Sequence, residues 1–246
     1  MRLKVLGCEA LARMVYSEAA VSPHVVDVEI YRLGLHVRPP ELRTHLQERI
    51  DACQGQGYDA LLLAYGLCGK ATEGLTARDV PLVLPRAHDC ITLFLGSRAR
   101  YTEEFSRDPG TYWYALDYIQ RNDQPGAALS IGAGVTDDLP GVYAAYVEKY
   151  GQDNADYLME VMGAWQKHYD RAAYVDMGVG DGRAAEEQAR ADAERRGWKF
   201  ARLEGDLRLI HGLLSGAWDE DYLVIPPGRR IRMSSDEGVV RSEPAD

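Results

Sequence analysis

Short apolar runs carrying β-branched residues alternate with helix-patterned segments along nearly the whole chain, and that alternation restricts the fold more than any other feature. A strand that is followed by a crossover helix returns parallel to itself, so repeated βα units build a parallel sheet. The spacing predicts an α/β protein. Arg2 to Gly7 reads as the first strand, followed by a helix from about Cys8 to Ala20, and Val25 to Leu33 reads as the second strand. Pro39 and Pro40 open a helix whose stripe of Leu42, Leu46, Ile50 and Cys53 is expected to pack on the sheet. Asp59 to Ala64 and Val80 to Leu84 follow as the third and fourth strands.

From Cys90 to about Asp137 the pattern weakens, with Tyr101, Tyr112, Trp113, Tyr114 and Tyr118 crowded among Asp, Pro and Gly. An irregular connector or lid is expected there. Regularity returns at Asp138, an N-cap before Pro140, and a helix from about Asp153 to Tyr169 carries Leu158, Val161, Met162 and Trp165 on one stripe. Ala173 to Met177, Lys199 to Leu203 and Tyr222 to Ile225 read as three more strands, separated by helices over Arg183 to Arg196 and Asp206 to Ser215. The expected organisation is an α/β half over 1–105, a connector over 106–137, a second α/β half over 138–232 and a disordered polar tail over 233–246. Ligands of parallel sheets bind beyond the carboxyl ends of the strands, so a cleft is expected at that edge.

Charge narrows the partners. With 28 Lys+Arg against 38 Asp+Glu among 246 residues, the net charge is −10 and no basic excess exists to neutralise phosphates over a broad surface. Nucleic acid and anionic membranes are therefore not expected partners, although a local basic pocket survives this argument. No apolar window has the length of a membrane span, and no apolar run follows the basic residues of Met1 to Val5. A cytoplasmic location is the expectation. Four cysteines without a close C-x-x-C pair are too few for a disulfide scaffold and too dispersed for a zinc ribbon.

Their positions are more informative than their number. Cys8 follows the first strand, Cys68 lies in Tyr65-Gly66-Leu67-Cys68-Gly69 after the third, and Cys90 lies in Arg86-Ala87-His88-Asp89-Cys90 after the fourth. Three strands thus deliver a thiol to one edge of the sheet, whereas Cys53 belongs to a packing stripe. Three thiolates with His88 would complete a tetrahedral zinc site, and three thiolates alone would hold a [4Fe-4S] cluster with one open iron. A single nucleophilic cysteine, or three cysteines that merely pack, are the competing readings. His88 is equally a loop residue or a general acid. Cys8 at a helix start and Arg86 nearby both favour thiolate.

Glu9, Tyr65 and Asp89 flank the cysteines as proton-transfer groups, and Arg86, Lys70 and Arg98 are candidates for holding an anionic group of a small substrate. In the second half, Met177-Gly178-Val179-Gly180-Asp181-Gly182 lies between a strand and a helix, where Gly178 and Gly180 can expose amides to an anion. A tight turn explains the same glycines, and neither the dinucleotide fingerprint nor a Walker lysine is present.

Leu6-Gly7-Cys8-Glu9, the Tyr65 to Gly69 loop, Arg86 to Cys90, and the run from Glu204-Gly205-Asp206 through Leu214-Ser215-Gly216 to Ile225-Pro226-Pro227-Gly228 together resemble the prokaryotic family DUF1638. The resemblance spans Cys8 to Gly228. It implies a cytoplasmic protein of anaerobes encoded near corrinoid-dependent methyltransferases, and hence a place in methyl-transfer or one-carbon metabolism. The middle departs from the family, reading Tyr114-Ala115-Leu116-Asp117 where many members carry Gly-Trp. The leading expectation is a metal-dependent enzyme, either a zinc-thiolate methyltransferase or an iron–sulfur lyase. The alternative is a non-catalytic metal-binding accessory protein that docks on a corrinoid or methyltransferase partner through an exposed aromatic patch between Tyr101 and Tyr118. A plain binding protein with an anion at Gly178 to Gly182 is the third.

Overall fold

The computed structural model describes residues 1–121, 147, 152, 169–234 and 238–245. The chain divides into two compact units, the first formed by Met1–Thr102, Met177–Gly180 and Glu204–Asp246, the second by Glu103–Asp176 and Asp181–Leu203. Both are α/β.

The first unit is built on a five-stranded sheet of β1 (Arg2–Cys8), β2 (Val25–Tyr31), β3 (Ala60–Ala64), β4 (Leu82–Pro85) and β8 (Tyr222–Ile225), in the order β2-β1-β3-β4-β8. β1 runs parallel to β2 and β3, β3 runs parallel to β4, and β8 pairs antiparallel with β4. All five residues of β3, Ala60-Leu-Leu-Leu-Ala64, are buried, because a central strand covered on both faces admits no polar alternation. Helix α2 (Pro39–Ala52) covers one face, where Leu42, Leu46, Ile50 and Cys53 join Leu6, Leu61, Leu63 and Leu84 in one core. On the other face lie α1 (Ala12–Val21), which packs on β1 and β2, and α7 (Arg208–Ser215), which packs on β3 and β4.

The second unit has a three-stranded sheet in the order β5-β6-β7, from β5 (Thr111–Ala115), β6 (Arg171–Asp176) and β7 (Lys199–Glu204), with β5 and β6 parallel. Helix α6 (Arg183–Arg196) packs Ala185, Ala189 and Ala193 against Tyr112, Tyr114, Ala172 and Tyr174. Alanines at i, i+4 and i+8 form a flat stripe that accepts the large rings.

Several elements differ from the sequence reading. The aromatic stretch is not a structureless connector up to its end at Tyr118. It holds α3 (Cys90–Leu95), α4 (Arg98–Arg107), β5 and α5 (Leu116–Gln120). Tyr112, Trp113, Tyr114 and Tyr118 are buried, so they form no exposed patch. Four consecutive residues of high β-propensity, Thr111-Tyr112-Trp113-Tyr114, lead β5, and Asp108-Pro109-Gly110 before them is its turn. The tail also corrects the expectation of disorder: β9 (Arg229–Met233) and β10 (Val240–Pro244) pair antiparallel, and Ile231, Val239 and Val240 are buried. β8 lies in the first unit's sheet and not beside β6 and β7. The segment 122–137 and the helices expected after Asp138 and over Asp153 to Tyr169 fall almost wholly outside the described residues.

Candidate functional site

Cys8 is the last residue of β1 and Cys90 the first of α3, while Cys68 lies in the loop after β3. Because β1, β3 and β4 are adjacent and parallel, their carboxyl ends meet at one edge. Backbone contacts fasten the two loops there. The amide of Leu67 donates to the Ala87 carbonyl at 2.8 Å, and the amide of Cys68 donates to the His88 carbonyl at 3.0 Å. Gly66 makes this approach possible, since a Cβ on it would stand 2.8 Å from the Asp89 nitrogen and 2.9 Å from the Ala87 oxygen. The Thr72 hydroxyl donates to the Gly66 carbonyl at 3.2 Å.

Cys68 itself has φ +46°, followed by Gly69 at +62° and Lys70 at +72°. A non-glycine residue in the left-handed region costs about 1–2 kcal/mol and persists where its surroundings enforce it. Asp89 is the N-cap of α3, its carboxylate accepting from the amides of Ile91 at 3.0 Å and Thr92 at 3.3 Å. The Tyr101 hydroxyl donates to the other oxygen of the same carboxylate at 3.5 Å.

The cysteines are free thiols and all but Cys53 are partly exposed. Burial pushes the Cys68 thiol well up from its ordinary range, with Cys8 and then Asp89 adding to the rise. Burial also raises Cys90 strongly, with Asp89, Cys68 and Cys8 contributing in that order. Cys8 contributes to both shifts and Cys68 to that of Cys90, which places the three in one electrostatic neighbourhood. Tyr65 is raised by burial and then by Cys8 and Cys68, so its ring belongs to the same neighbourhood. Asp89 is raised by burial, which outweighs its two amide hydrogen bonds.

At Cys68 and Cys90 burial therefore works against the thiolate form. Cys8 is followed by a three-residue 3₁₀ turn, Glu9–Leu11, and not directly by an α-helix. Arg86 gives its guanidinium to the carbonyls of Tyr222 at 3.2 Å, Gly238 at 3.0 Å and Val240, so it ties the β9–β10 hairpin to the sheet. Arg98 pairs with Asp221 at 3.4 Å. Lys70 is exposed, and its carbonyl accepts from Arg43. Glu9 accepts from the Leu33 amide at 2.9 Å. His88 is exposed, and its charge acts on Asp89 beside it. Among the described residues, no three His, Cys, Asp or Glu side chains stand in a geometry that holds a metal ion.

Gly178 (φ +66°) and Gly180 (φ +84°) fall in the first unit. Asp181 and Gly182 fall in the second, where the Asp181 carboxylate accepts from the Arg183 amide at 3.2 Å and its guanidinium at 2.9 Å. The first amide of α6, that of Arg183, is thus taken by a carboxylate of the chain's own. Gly182 has a packing reason, because a Cβ there would lie 2.1 Å from the Tyr174 hydroxyl.

Sequence reading did not single out Tyr101 for the thiol edge, since it comes from α4, beyond the loop it reaches. The family is decided by a model described as a protein of unknown function, DUF1638, which matches residues 30–214. The chain belongs to the DUF1638 family. Tyr65, Cys68, Arg86, His88 and Cys90 lie within the span matched to DUF1638, which begins after Cys8 and ends before Pro226. Comparison of this DUF1638 chain with curated proteins and with solved structures gives no match. No helix among its described residues is long and apolar enough to cross a membrane.

Proposed function

We propose that the first unit of this DUF1638 protein carries a thiol-ligated metal centre in which Cys8, Cys68 and Cys90 bind a zinc ion or a [4Fe-4S] cluster, within an enzyme acting on a small anionic substrate in methyl-transfer or one-carbon metabolism. The supporting observation is the delivery of three thiols to one edge by the adjacent parallel strands β1, β3 and β4. The donor set suits the group, since soft thiols prefer zinc and cluster iron. As they stand, the side chains are not in metal-holding geometry. The reading therefore requires the Cys68 turn and the start of α3 to draw together on binding, with loss of the thiol protons.

When bound, the metal would supply either an activated thiolate or a Lewis acid. Around it, Tyr65 and Asp89 are the groups that hold or move a proton, and His88 at the exposed end of its loop is the acid–base group nearest solvent. Glu9 positions the turn at Leu33.

Anaerobic purification with elemental analysis and visible absorption tests the reading. Zinc at about one per chain, or iron with sulfide and a brown colour, is expected, lost in Cys68→Ser and kept in Cys53→Ala. Protein prepared with care that contains neither metal would overturn it.

A further inference from the structure

A second site is built into the first unit, apart from the cysteines. Arg43, Arg78, Arg230, Arg232, Glu73 and Thr76 line an open cavity. Its floor is made by pairing between residues 74–77 and β9, in which the Gly74 amide donates to the Ile231 carbonyl at 2.8 Å and the Ile231 amide donates to the Leu75 carbonyl at 2.9 Å. Strand alternation sets the charge. In Arg229-Arg230-Ile231-Arg232-Met233, burial of Ile231 in the core puts Arg230 and Arg232 together on the opposite face. Arg43 reaches the cavity from α2.

The lining holds four guanidinium groups and one carboxylate, in a chain whose net charge is −10. Arg78 is held by Asp51 at 2.6 and 3.2 Å, Arg230 by Glu243 at 2.9 Å, and Arg232 by Glu73 at 3.4 Å. Asp51 and Glu243 hold their arginines without lining the cavity. Arg43 pairs with no carboxylate among the described residues. Its Nη2 donates to the Lys70 carbonyl at 2.5 Å, and its Nε is buried with no hydrogen-bond partner among the described residues. A buried, unsatisfied N–H of a cation is costly unless a ligand supplies an acceptor. Arginine forks match planar or tetrahedral oxyanions bidentately, and a concave cluster of one sign concentrates its field.

We propose that this cavity binds the phosphate or pyrophosphate group of a small molecule, with Arg43 and Arg232 as its principal donors. Arg78 and Arg230, braced from outside by Asp51 and Glu243, keep the field positive. The site is independent of any metal at the cysteines.

The test is calorimetric titration of the full chain with inorganic pyrophosphate and, separately, orthophosphate, at ionic strength fixed with chloride. One saturable site is expected, tighter for pyrophosphate, and weakened about tenfold or more in Arg43→Gln and in Arg232→Gln, with Arg190→Gln in the second unit as an unaffected control. Arg232 is exposed on its outer side, so its variant stands if Arg43→Gln fails to fold. Hydrogen exchange of the wild type gives a second readout, with slowed exchange expected over 74–77 and 229–232 when pyrophosphate is added. Absence of both saturable heat and protection, binding by both arginine variants as tight as that of the wild type, or reproduction of the effect by chloride alone would each overturn the proposal.

Discussion

The backbone amide of Cys68 donates to the carbonyl oxygen of His88 at 3.0 Å, which joins the loop after β3 to the loop after β4 and brings two of the three cysteine segments together. The contact is local to the backbone, so it survives changes of either side chain and depends on how closely the two loops can approach.

Gly66 sets that approach. Gly66→Ala drives a methyl group against the backbone of Ala87 and Asp89, which cannot swing aside as a side chain can. A loss of about 1–3 kcal/mol in urea unfolding is expected, together with faster labelling of Cys68 and Cys90 by a neutral alkylating agent. Unchanged stability and labelling would show that the loops are not clamped.

At position 68 the backbone conformation and the thiol can be separated. Cys68→Ala and Cys68→Gly both remove the sulfur, but glycine tolerates φ +46° and alanine does not. The glycine variant is expected to be the more stable by about 1 kcal/mol, the reverse of the usual order of these residues, while both lose any bound metal. Equal unfolding midpoints would mean the turn carries no strain.

Asp89 gives a pH signature. Burial raises its carboxyl above the usual carboxylate range, so the folded protein holds that proton more tightly than the unfolded chain does. The stabilisation is present at pH below the ordinary carboxylate pKa and is lost as pH rises through the raised value. Asp89→Asn keeps a capping oxygen and cannot ionise. The difference in unfolding free energy is therefore expected to move in favour of the variant as pH rises from the ordinary carboxylate pKa through the raised one, and a difference constant with pH would contradict this account.

In the second unit, Arg171 on β6 bridges Glu104 at 3.0 Å and Asp108 at 2.9 Å, with Arg171 and Glu104 both buried. Burial alone would raise Glu104, but hydrogen bonds from Arg107 and Arg171 outweigh it and hold its pKa low. Arg171→Met leaves a buried carboxylate with one cation fewer and is expected to cost about 3 kcal/mol in thermal or urea unfolding, most of it recovered when Glu104→Gln is combined with it. Additive losses in the double variant would show that the two side chains do not interact.

Much of this was readable from the sequence because the signals are local. The stripe Leu42, Leu46, Ile50 marks α2, the Ala-rich run ending at Gly197 marks α6 from Arg183 to Arg196, and Tyr222–Ile225 reads as the strand that it is. Elsewhere local reading failed for identifiable reasons. Thr111–Ala115 was hidden by turn residues beside its aromatics, and β10 is too polar to announce itself until β9 pairs with it.

The sequence by itself determined the α/β class, the assignment of Cys53 to a packing stripe, and the address of Cys8, Cys68 and Cys90 at strand ends, because periodicity and strand ends are properties of neighbouring residues. Only the tertiary structure decided that Arg86 spends its guanidinium on three carbonyls, that burial disfavours the thiolate form of Cys68 and Cys90, and that Arg43 meets Arg230 and Arg232 around one cavity. Charge state and hydrogen-bond partnership depend on groups far away in the chain, and those distances are set when the sheet and its hairpin close.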